Sequence, residues 1–595
     1  MTEHSKQRSR LAALRAELRL RGLDGFIIPR SDEYQGEYVP PSAERLAWLT
    51  GFTGSAGFAV VLAEAAAIFV DGRYTLQVRN ECDGDSWTFR HVTEEPRRSW
   101  LAEHLPEGGQ LGYDPWLHSQ REVETLKDEC ARVGGDAAAC PDNPLDSIWS
   151  DRPDPPASTV ETHPLAFAGE SSESKRQRVS QVLQDNQQDA VVLTRSDSIA
   201  WLLNIRGTDV PHCPLALSFA ILHSDARVDW FINARRVPDE VAALLGEAVR
   251  LHPADSFAAA LGELGSKCVR LEPESAVAWI FDRLRGAEAE IRTGADPCQL
   301  PKAAKNETEV AGTRAAHLRD GAALCRFLYW LDGAAARENL TELEASQRLL
   351  EFRREGQYFR DTSFETISGS GPNGAIVHYR VTEDSNRTLK SGELYLVDSG
   401  GQYLDGTTDV TRTIAIGTPT QDMRENYTRV LKGHIAVATV RFPQGTSGGQ
   451  LDVLARRPLW EVGRDFDHGT GHGVGSYLNV HEGPQRIAKR PDSVALQPGM
   501  ILSNEPGYYR TNAYGIRIEN LVVVQRASEE GERPMLGFET LTLAPLDRRL
   551  IEESLLSREE RDWVDAYHAR VLREIAPQVD EGTRGWLEEA TRPLG

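Results

Sequence analysis

The sequence predicts an α/β protein in which two related α/β units precede a larger α+β block. Three observations predict it. Helical periodicity gives way to buried apolar strands twice in succession and in the same order. Two polar, proline-bearing breaks separate the blocks: residues 150–174, with Pro153, Pro155 and Pro156, and Thr293–Lys305, with Gly294, Pro297 and Pro301. Beyond the second break, period-two strands alternate with glycine-rich turns and long helices. The boundaries fall at residues 1–152, 153–302 and 303–595, the last block ending in a helical tail from about residue 535.

The first unit opens with a helix at Leu11–Arg21, followed by the apolar run Asp24-Gly-Phe-Ile-Ile-Pro-Arg-Ser-Asp32. Then come Ala47-Trp-Leu-Thr-Gly51, a strand at Phe58–Leu62 and another ending at Asp71. The second unit repeats the order with a helix at Arg176–Asn186, Asp189-Ala-Val-Val-Leu-Thr-Arg-Ser-Asp197, Ala200-Trp-Leu-Leu-Asn204, and strands at Ser218–Leu222 and Val228–Ile232. The shared Arg-Ser-Asp and Ala-Trp-Leu placements favour an internal duplication over two unrelated α/β domains. The third block starts with a helix from Glu307 to Trp330 that Asn306 can cap. Helices follow near Gln421–Arg441 and Gln450–Val462. In the tail, Ser557 and Glu560 form a capping box, ahead of a packing stripe of Trp563, Tyr567 and Val571.

Composition narrows the function. The chain has 595 residues, with 67 Lys+Arg against 89 Asp+Glu, a net charge of −22. A balance this acidic argues against nucleic acid and against anionic membrane surfaces as partners. The seven cysteines are widely spaced with no CxxC, which excludes a disulfide scaffold and a thiolate zinc site and fits a reducing, cytoplasmic location. The N-terminus leads into an Arg-rich amphipathic stretch with no apolar signal core, and no apolar run reaches the length of a membrane span.

Chemistry concentrates in four segments of the third block. In Leu394-Tyr-Leu-Val-Asp398-Ser-Gly-Gly-Gln-Tyr-Leu-Asp405-Gly-Thr-Thr-Asp409, an apolar strand and a Thr-rich strand can place Asp398 and Asp409 side by side. Adjacent carboxylates repel, and a cation between them keeps both ionised; an Asp-Gly turn with solvated acids is the plainer alternative. In His468-Gly-Thr-Gly-His472-Gly-Val-Gly-Ser-Tyr-Leu-Asn-Val-His481-Glu-Gly483, alternating glycines let backbone approach a ligand closely, and the spacing is not that of a HExxH helix. Pro506 holds Glu505 extended at the end of Met500-Ile-Leu-Ser-Asn-Glu505. In Gly515-Ile-Arg517-Ile-Glu519-Asn-Leu-Val-Val-Val524, read as one strand, Arg517 and Glu519 share a face, and Arg517 alone could satisfy the acid. Four carboxylates and one imidazole suit hard divalent ions such as Mn²⁺ or Mg²⁺, and exceed what a single ion needs. Gly369-Ser-Gly371-Pro-Asn-Gly374 matches GxGxxG formally, but a strand through Ala375–Tyr379, carrying His378, is expected where a dinucleotide-binding helix would begin.

With Asp398, Asp409, glycine-flanked His472, Asn-Glu505-Pro-Gly-Tyr-Tyr and Ile-Arg-Ile-Glu519-Asn in view, the chain resembles the pita-bread metallopeptidases of family M24. Within them it resembles the long, three-domain Xaa-Pro aminopeptidases (aminopeptidase P). The likeness extends to Trp48-Leu-Thr-Gly-Phe-Thr-Gly-Ser-Ala-Gly57, Val70-Asp-Gly-Arg73-Tyr74, Lys305-Asn-Glu-Thr-Glu309, Arg314-Ala-Ala-His317 and Phe538-Glu-Thr-Leu-Thr-Leu-Ala-Pro545. The resemblance implies two creatinase-like N-terminal domains, a pita-bread catalytic domain and a homodimer. It implies two divalent cations, Mn²⁺, with Asp398 on one, His472 and Glu505 on the other, and Asp409 and Glu519 bridging. A hydroxide held by the pair would attack the carbonyl before proline in peptides with proline in second position, releasing the N-terminal residue. Glu505 would carry the proton, with His378 and His481 at the scissile carbonyl or the proline side. His378, His472, His481, Glu505 and, from the first domain, Arg73 would face substrate, and His468 and Arg517 would orient the ligands. The alternatives are an Xaa-Pro dipeptidase of the prolidase type or a non-catalytic pita-bread binding module; the additional domain argues against the first and the filled ligand positions against the second.

Overall fold

The computed structural model describes residues 3–335, 339–490, 493–527 and 532–594. The chain divides into two compact units, one made of Met1–His163 with Glu170–Cys298 and the other of Pro164–Gly169 with Gln299–Gly595.

The N-terminal unit holds two six-stranded sheets. In the first, the buried strand Gly25–Pro29 pairs antiparallel with Phe58–Leu62 and parallel with Gln110–Tyr113. Ala66–Val70 and Thr88–His91 continue one side, and Asp136–Ala139 closes the other. In the second, Ala190–Leu193 pairs antiparallel with Phe219–His223 and parallel with Cys268–Leu271. Val228–Phe231, Val249–His252 and Glu290–Thr293 then repeat the same order and the same alternation of sense. The two Ala-Trp-Leu runs lie on helices, Arg45–Thr50 and Ser196–Leu203, that follow corresponding strands. Two linear stretches of sequence thus fold into one topology twice, and the apolar central strands are buried on both faces as parallel-type cores require.

The breaks are more structured than proline content suggests. The first carries a strand at Glu161–Thr162 that pairs antiparallel with Ile205–Arg206, and the second a helix at Gln299–Ala303 that buries Lys302 and Ala303. Lys302 and Lys305 are buried there, with Nζ–O distances of 2.9 and 2.7 Å to the two oxygens of Glu482.

In the C-terminal unit, Asn306 caps the helix Glu307–Ala335 by accepting from Glu309 N at 3.0 Å. A three-stranded sheet of Ile367–Ser370, Leu394–Ser399 and Val410–Ala415 lies in the same unit as a four-stranded sheet of Phe442–Pro443, Met535–Thr540, Asn520–Arg526 and Ile501–Asn504. The helix Gln421–Thr439 sends Tyr427, Val430, Leu431 and Ile435 into the main core with Leu502, Ile516 and Val522. The tail helix Arg558–Ile575 has the expected Ser557/Glu560 capping box and buries Tyr567 and Val571.

Two expected strands are different. Gly515–Val524 is not one strand: Tyr514–Arg517 pairs with Gly507–Arg510, Asn520–Arg526 joins the four-stranded sheet, and Ile518-Glu519 is the joint between them. The backbone breaks because Ile518 N donates to Pro506 O and Glu519 N to Thr411 O, partners outside either ladder. Ala375–Tyr379 is likewise not a strand. Gly371–Ala375 form a 3-10 turn and His378 sits in the turn beyond it. Pro372 removes a ladder donor, and Ile376 N and Tyr379 N are spent on local turn carbonyls.

Candidate metal centre

Each of the five residues expected to bind metal stands on a strand or at its end. Asp398 lies opposite Thr411 in the pairing of Leu394–Ser399 with Val410–Ala415. Asp409, two positions before Thr411, projects to the same face as Asp398. His472 is in the short strand Gly471–His472, bridged onward through Gly473 to Leu502. Glu505 directly follows Ile501–Asn504, and Glu519 directly precedes Asn520–Arg526. Close backbone neighbours explain the glycines around His472. A Cβ at Gly471 would stand 2.0 Å from Ser503 O, and one at Gly473 2.0 Å from Glu482 O, so any other residue would push the strand off its neighbours.

These placements converge. One ligand atom each from Asp409, His472 and Glu519 lies within 4.8 Å of the others. His472 Nε2 stands 3.4 Å from Asp409 Oδ2 and 3.5 Å from Glu505 Oε1. Its other nitrogen is 2.9 Å from Gly473 O. A carbonyl only accepts, so Nδ1 carries a proton, and Nε2 is the nitrogen turned to the carboxylates and the one that would ligate a metal once its own proton is displaced. Asp398 Oδ1 and Asp409 Oδ1 are buried with no hydrogen-bond donor among the described residues. Two buried carboxylate oxygens without donors, beside two further carboxylates, are what cations would satisfy.

The electrostatics point the same way. Burial lifts the Asp398 carboxyl to about 6, with Arg517 opposing and Asp409 reinforcing the rise. Burial, then Asp409, Asp398 and Glu505, push Glu519 well above the usual carboxylate range against the Thr411 hydrogen bond. Burial pulls His472 down, but Asp409 and Glu505 outweigh it and raise the imidazole to about 9. The residues fit divalent cations: hard oxygen donors in excess, one imidazole, and mutual repulsion that positive charge relieves.

Supporting contacts are dense. Arg517 donates from Nη2 to Asp398 Oδ2 at 2.6 Å, from Nε to Thr411 Oγ1 at 3.2 Å and from Nη1 to Val377 O at 3.2 Å and Tyr509 OH at 2.5 Å. Tyr509 OH in turn donates to His468 Nε2 at 2.8 Å, since His468 Nδ1 gives its proton to Gly469 O at 2.7 Å. The His481 ring stands edge-on to His472 with centroids 4.2 Å apart. Arg73 belongs to the N-terminal unit, where its Nη2 donates to Asp71 Oδ2 at 2.7 Å and its guanidinium lies 5.1 Å from the Tyr74 ring centre.

Sequence reading overlooked a buried layer behind the ligands. His434 Nδ1 donates to Asn504 O at 3.0 Å, and Asn520 Nδ2 donates to His434 Nε2 at 3.2 Å, tying together the strands that lead to Glu505 and Glu519. Arg412 donates from Nη1 to Glu519 O at 2.7 Å and from Nη2 to Asn520 Oδ1 at 2.8 Å. A histidine spaced with Tyr427, Val430 and Leu431 on the apolar face of one helix was the available signal.

Comparison with known proteins places the whole chain. Residues 311–526 match the model of metallopeptidase family M24, and residues 534–594 that of the C-terminal region of peptidase M24. Residues 10–139 and 151–309 each match a creatinase/prolidase N-terminal domain. A "Probable Xaa-Pro aminopeptidase P" of Paracoccidioides brasiliensis (strain Pb03) is 39% identical over 610 residues, covering 98% of this chain and 99% of that one. The chain belongs to the M24 metallopeptidases. Aminopeptidase P2 of Arabidopsis thaliana is 40% identical to this M24 peptidase across 96% of its length and 86% of the relative's. The crystal structure of an X-prolyl aminopeptidase from Caenorhabditis elegans, described as a cytosolic enzyme with a di-nuclear active site, superposes with a TM-score of 0.95 at 33% identity, covering 99% of this chain and 100% of that one. The M24 peptidase is thus a hydrolase of the aminopeptidase P group, with two creatinase-type domains ahead of its catalytic domain.

Proposed function

We propose that this M24 peptidase removes the N-terminal residue from peptides with proline in second position, using two Mn²⁺ ions. The observation that carries the reading is the full constellation of Asp398, Asp409, His472, Glu505 and Glu519, with two donor-free buried carboxylate oxygens, in a chain whose likeness to aminopeptidases P runs nearly end to end. Asp398 would hold one ion, His472 and Glu505 the other, and Asp409 and Glu519 both. Divalent ions so held supply a Lewis acid for the scissile carbonyl and make a water acidic enough to give up its proton near neutral pH. Glu505 takes that proton and delivers it to the proline nitrogen; with 17% of its side chain exposed, it is more open to solvent than Asp409 at 5%. His378 and His481 orient the carbonyl and the proline ring, with His481 fixed against His472. Arg517, Tyr509 and His468 hold Asp398 and the Glu505 side in register, and Arg73 binds the peptide from the first domain.

The domains run over residues 1–152, 153–302 and 303–595 in this reading. The protein acts in the cytoplasm, consistent with seven free cysteines, and no helix among the described residues is long and apolar enough to cross a membrane. It acts as a homodimer, for which the exposed Val453, Trp460 and Val462 of one helix and its end offer a face. The test is mass-spectrometric product analysis of an Xaa-Pro-Pro tripeptide as isolated, after chelation, and after Mn²⁺ is restored. Release of the free first residue, lost on chelation and regained with Mn²⁺, is expected. A tripeptide left intact while an Xaa-Pro dipeptide is cleaved would overturn the reading in favour of a dipeptidase.

A further inference from the structure

His378 lies in a turn, outside any strand, so no ladder fixes its segment. One buried carboxylate on a different element does. Glu342 opens the helix Glu342–Arg354 and is fully buried. Its Oε1 accepts from Ser370 N at 2.6 Å and from Asn373 Nδ2 at 3.1 Å. Its Oε2 accepts from Asn373 Nδ2 at 3.0 Å, Tyr379 OH at 3.0 Å and Arg387 N at 3.0 Å. The same residue's N–H donates to Arg387 O at 3.0 Å, and its carbonyl accepts from Ser368 Oγ at 2.7 Å. These anchors bracket His378 on both sides, and Tyr379 is its chain neighbour. Beside it, the Val377 carbonyl accepts from Arg517 Nη1 at 3.2 Å, the guanidinium that also grips Asp398 at 2.6 Å.

The chemistry is unusual for a loop anchor. An ionised carboxylate is expensive to bury, and a turn needing only tethering would be held by a neutral amide or hydroxyl. Here every donor to Glu342 belongs to the segment that carries His378, and the charge strengthens each hydrogen bond and removes slack from the turn. We propose that Glu342 is a positioning residue for peptide cleavage, setting His378 against the scissile carbonyl and Val377 O against Arg517 without touching substrate or metal. This rests on the preceding reading of His378 as a substrate contact.

The test is a set of variants, Glu342→Gln, Tyr379→Phe, His378→Ala and the two double variants with His378→Ala, assayed for kcat, KM and bound metal with an Xaa-Pro-Pro peptide. Glu342→Gln turns one acceptor oxygen into a donor facing donors. It is expected to lower kcat on the order of 10- to 100-fold, since misplacing a catalytic contact by about 1 Å costs that much. Tyr379→Phe, which removes one donor and leaves the charge, is expected to lower kcat by a smaller factor. KM and metal content should change less than about twofold in both. In the His378→Ala background either change should cost little more, because the group being positioned is gone. Losses that multiply with His378→Ala, loss of metal, or wild-type kcat in Glu342→Gln would each overturn the proposal. If Glu342→Gln does not fold, the Tyr379→Phe cycle decides by the same criterion. A wild-type protein that leaves the peptide intact would overturn the proposed function itself, whereas cleavage by wild type with additive variants would overturn only the role of Glu342.

Discussion

Asp398, Asp409, His472, Glu505 and Glu519 stand on strands or at their ends, whereas His378 and His481 stand in loops tied to buried charges. Strand pairing fixes a ligand through backbone hydrogen bonds on both sides, and Arg412 and His434 add side-chain ties behind the Glu505 and Glu519 strands. The loop histidines depend on a few charged side chains, Glu342 for one segment and Lys302–Glu482–Lys305 for the other. The difference separates two requirements. Metal ligands must hold their geometry whether or not peptide is present, while substrate contacts need only a well-placed loop. Damage to the strand set should therefore remove metal, and damage to the loop set should spare it.

The sharpest break of that comparison is expected at Glu519. Glu519→Gln keeps shape but removes one carboxylate from the cluster with Asp409 and His472, so metal measured by mass spectrometry should fall and kcat should drop more than about 100-fold, beyond the cost of a supporting partner. Glu519→Gln with full metal and near wild-type kcat would show that the strand-borne set is not the centre.

A smaller effect, on stability, is expected in the other loop anchor. Glu482 presents one carboxylate oxygen to each of two buried ammonium groups, at 2.9 and 2.7 Å. Glu482→Gln removes the carboxylate that both buried ammonium groups contact and should cost about 3–5 kcal/mol in denaturant unfolding. Lys302→Met leaves a complete Lys305–Glu482 pair and should cost less. Equal costs for the two variants would show that Glu482 is not the shared anchor of the two lysines.

The same contrast explains what could be read from sequence. The candidate ligands were legible as a set because strand chemistry is local: an acid closing an apolar run, glycines alternating about His472, and Pro506 after Glu505 each carry their reason in the adjacent residues. The duplicated sheet was legible for the same cause, since Arg-Ser-Asp and Ala-Trp-Leu recur at matching places. What failed was the continuity of Gly515–Val524 and of the segment after Gly371, where bonds to distant Thr411 and Pro506, or to nearby turn carbonyls, outcompete the ladder. Glu342 and Lys302 gave no usable signal, because their partners lie tens of residues or more away in the chain, and His434 showed only its place on an apolar helix face. An acid at a helix start reads as an ordinary first-turn carboxylate, and only the fold shows it turned inward.

The smallest effect concerns acid. Burial, with nearby Arg412, lowers His434 to about 3, and burial with Arg548 does the same to His568 in the same unit. In the N-terminal unit, burial and Arg97 lower His118 to about 3. An unfolded histidine titrates near 6.5, so each of these is neutral in the fold at pH values where the unfolded chain already takes a proton. Each contribution is fully present above about 6.5 and is lost as the pH falls toward about 3, at about 1.4 kcal/mol per pH unit per group. His434→Gln removes one such group while keeping a donor and an acceptor for Asn504 O and the Asn520 amide. Calorimetry on chelated protein between about pH 6 and 5 should then show a shallower loss of stability in the variant than in wild type, by about one proton's worth. Chelation matters because metal release would otherwise add its own proton uptake in both proteins. Identical slopes would mean that His434 is protonated in the folded state and that the Asn520 amide does not donate to its Nε2. The layer behind Glu505 and Glu519 would then be held by an imidazolium, and the neutral bridge between their two strands would have to be abandoned.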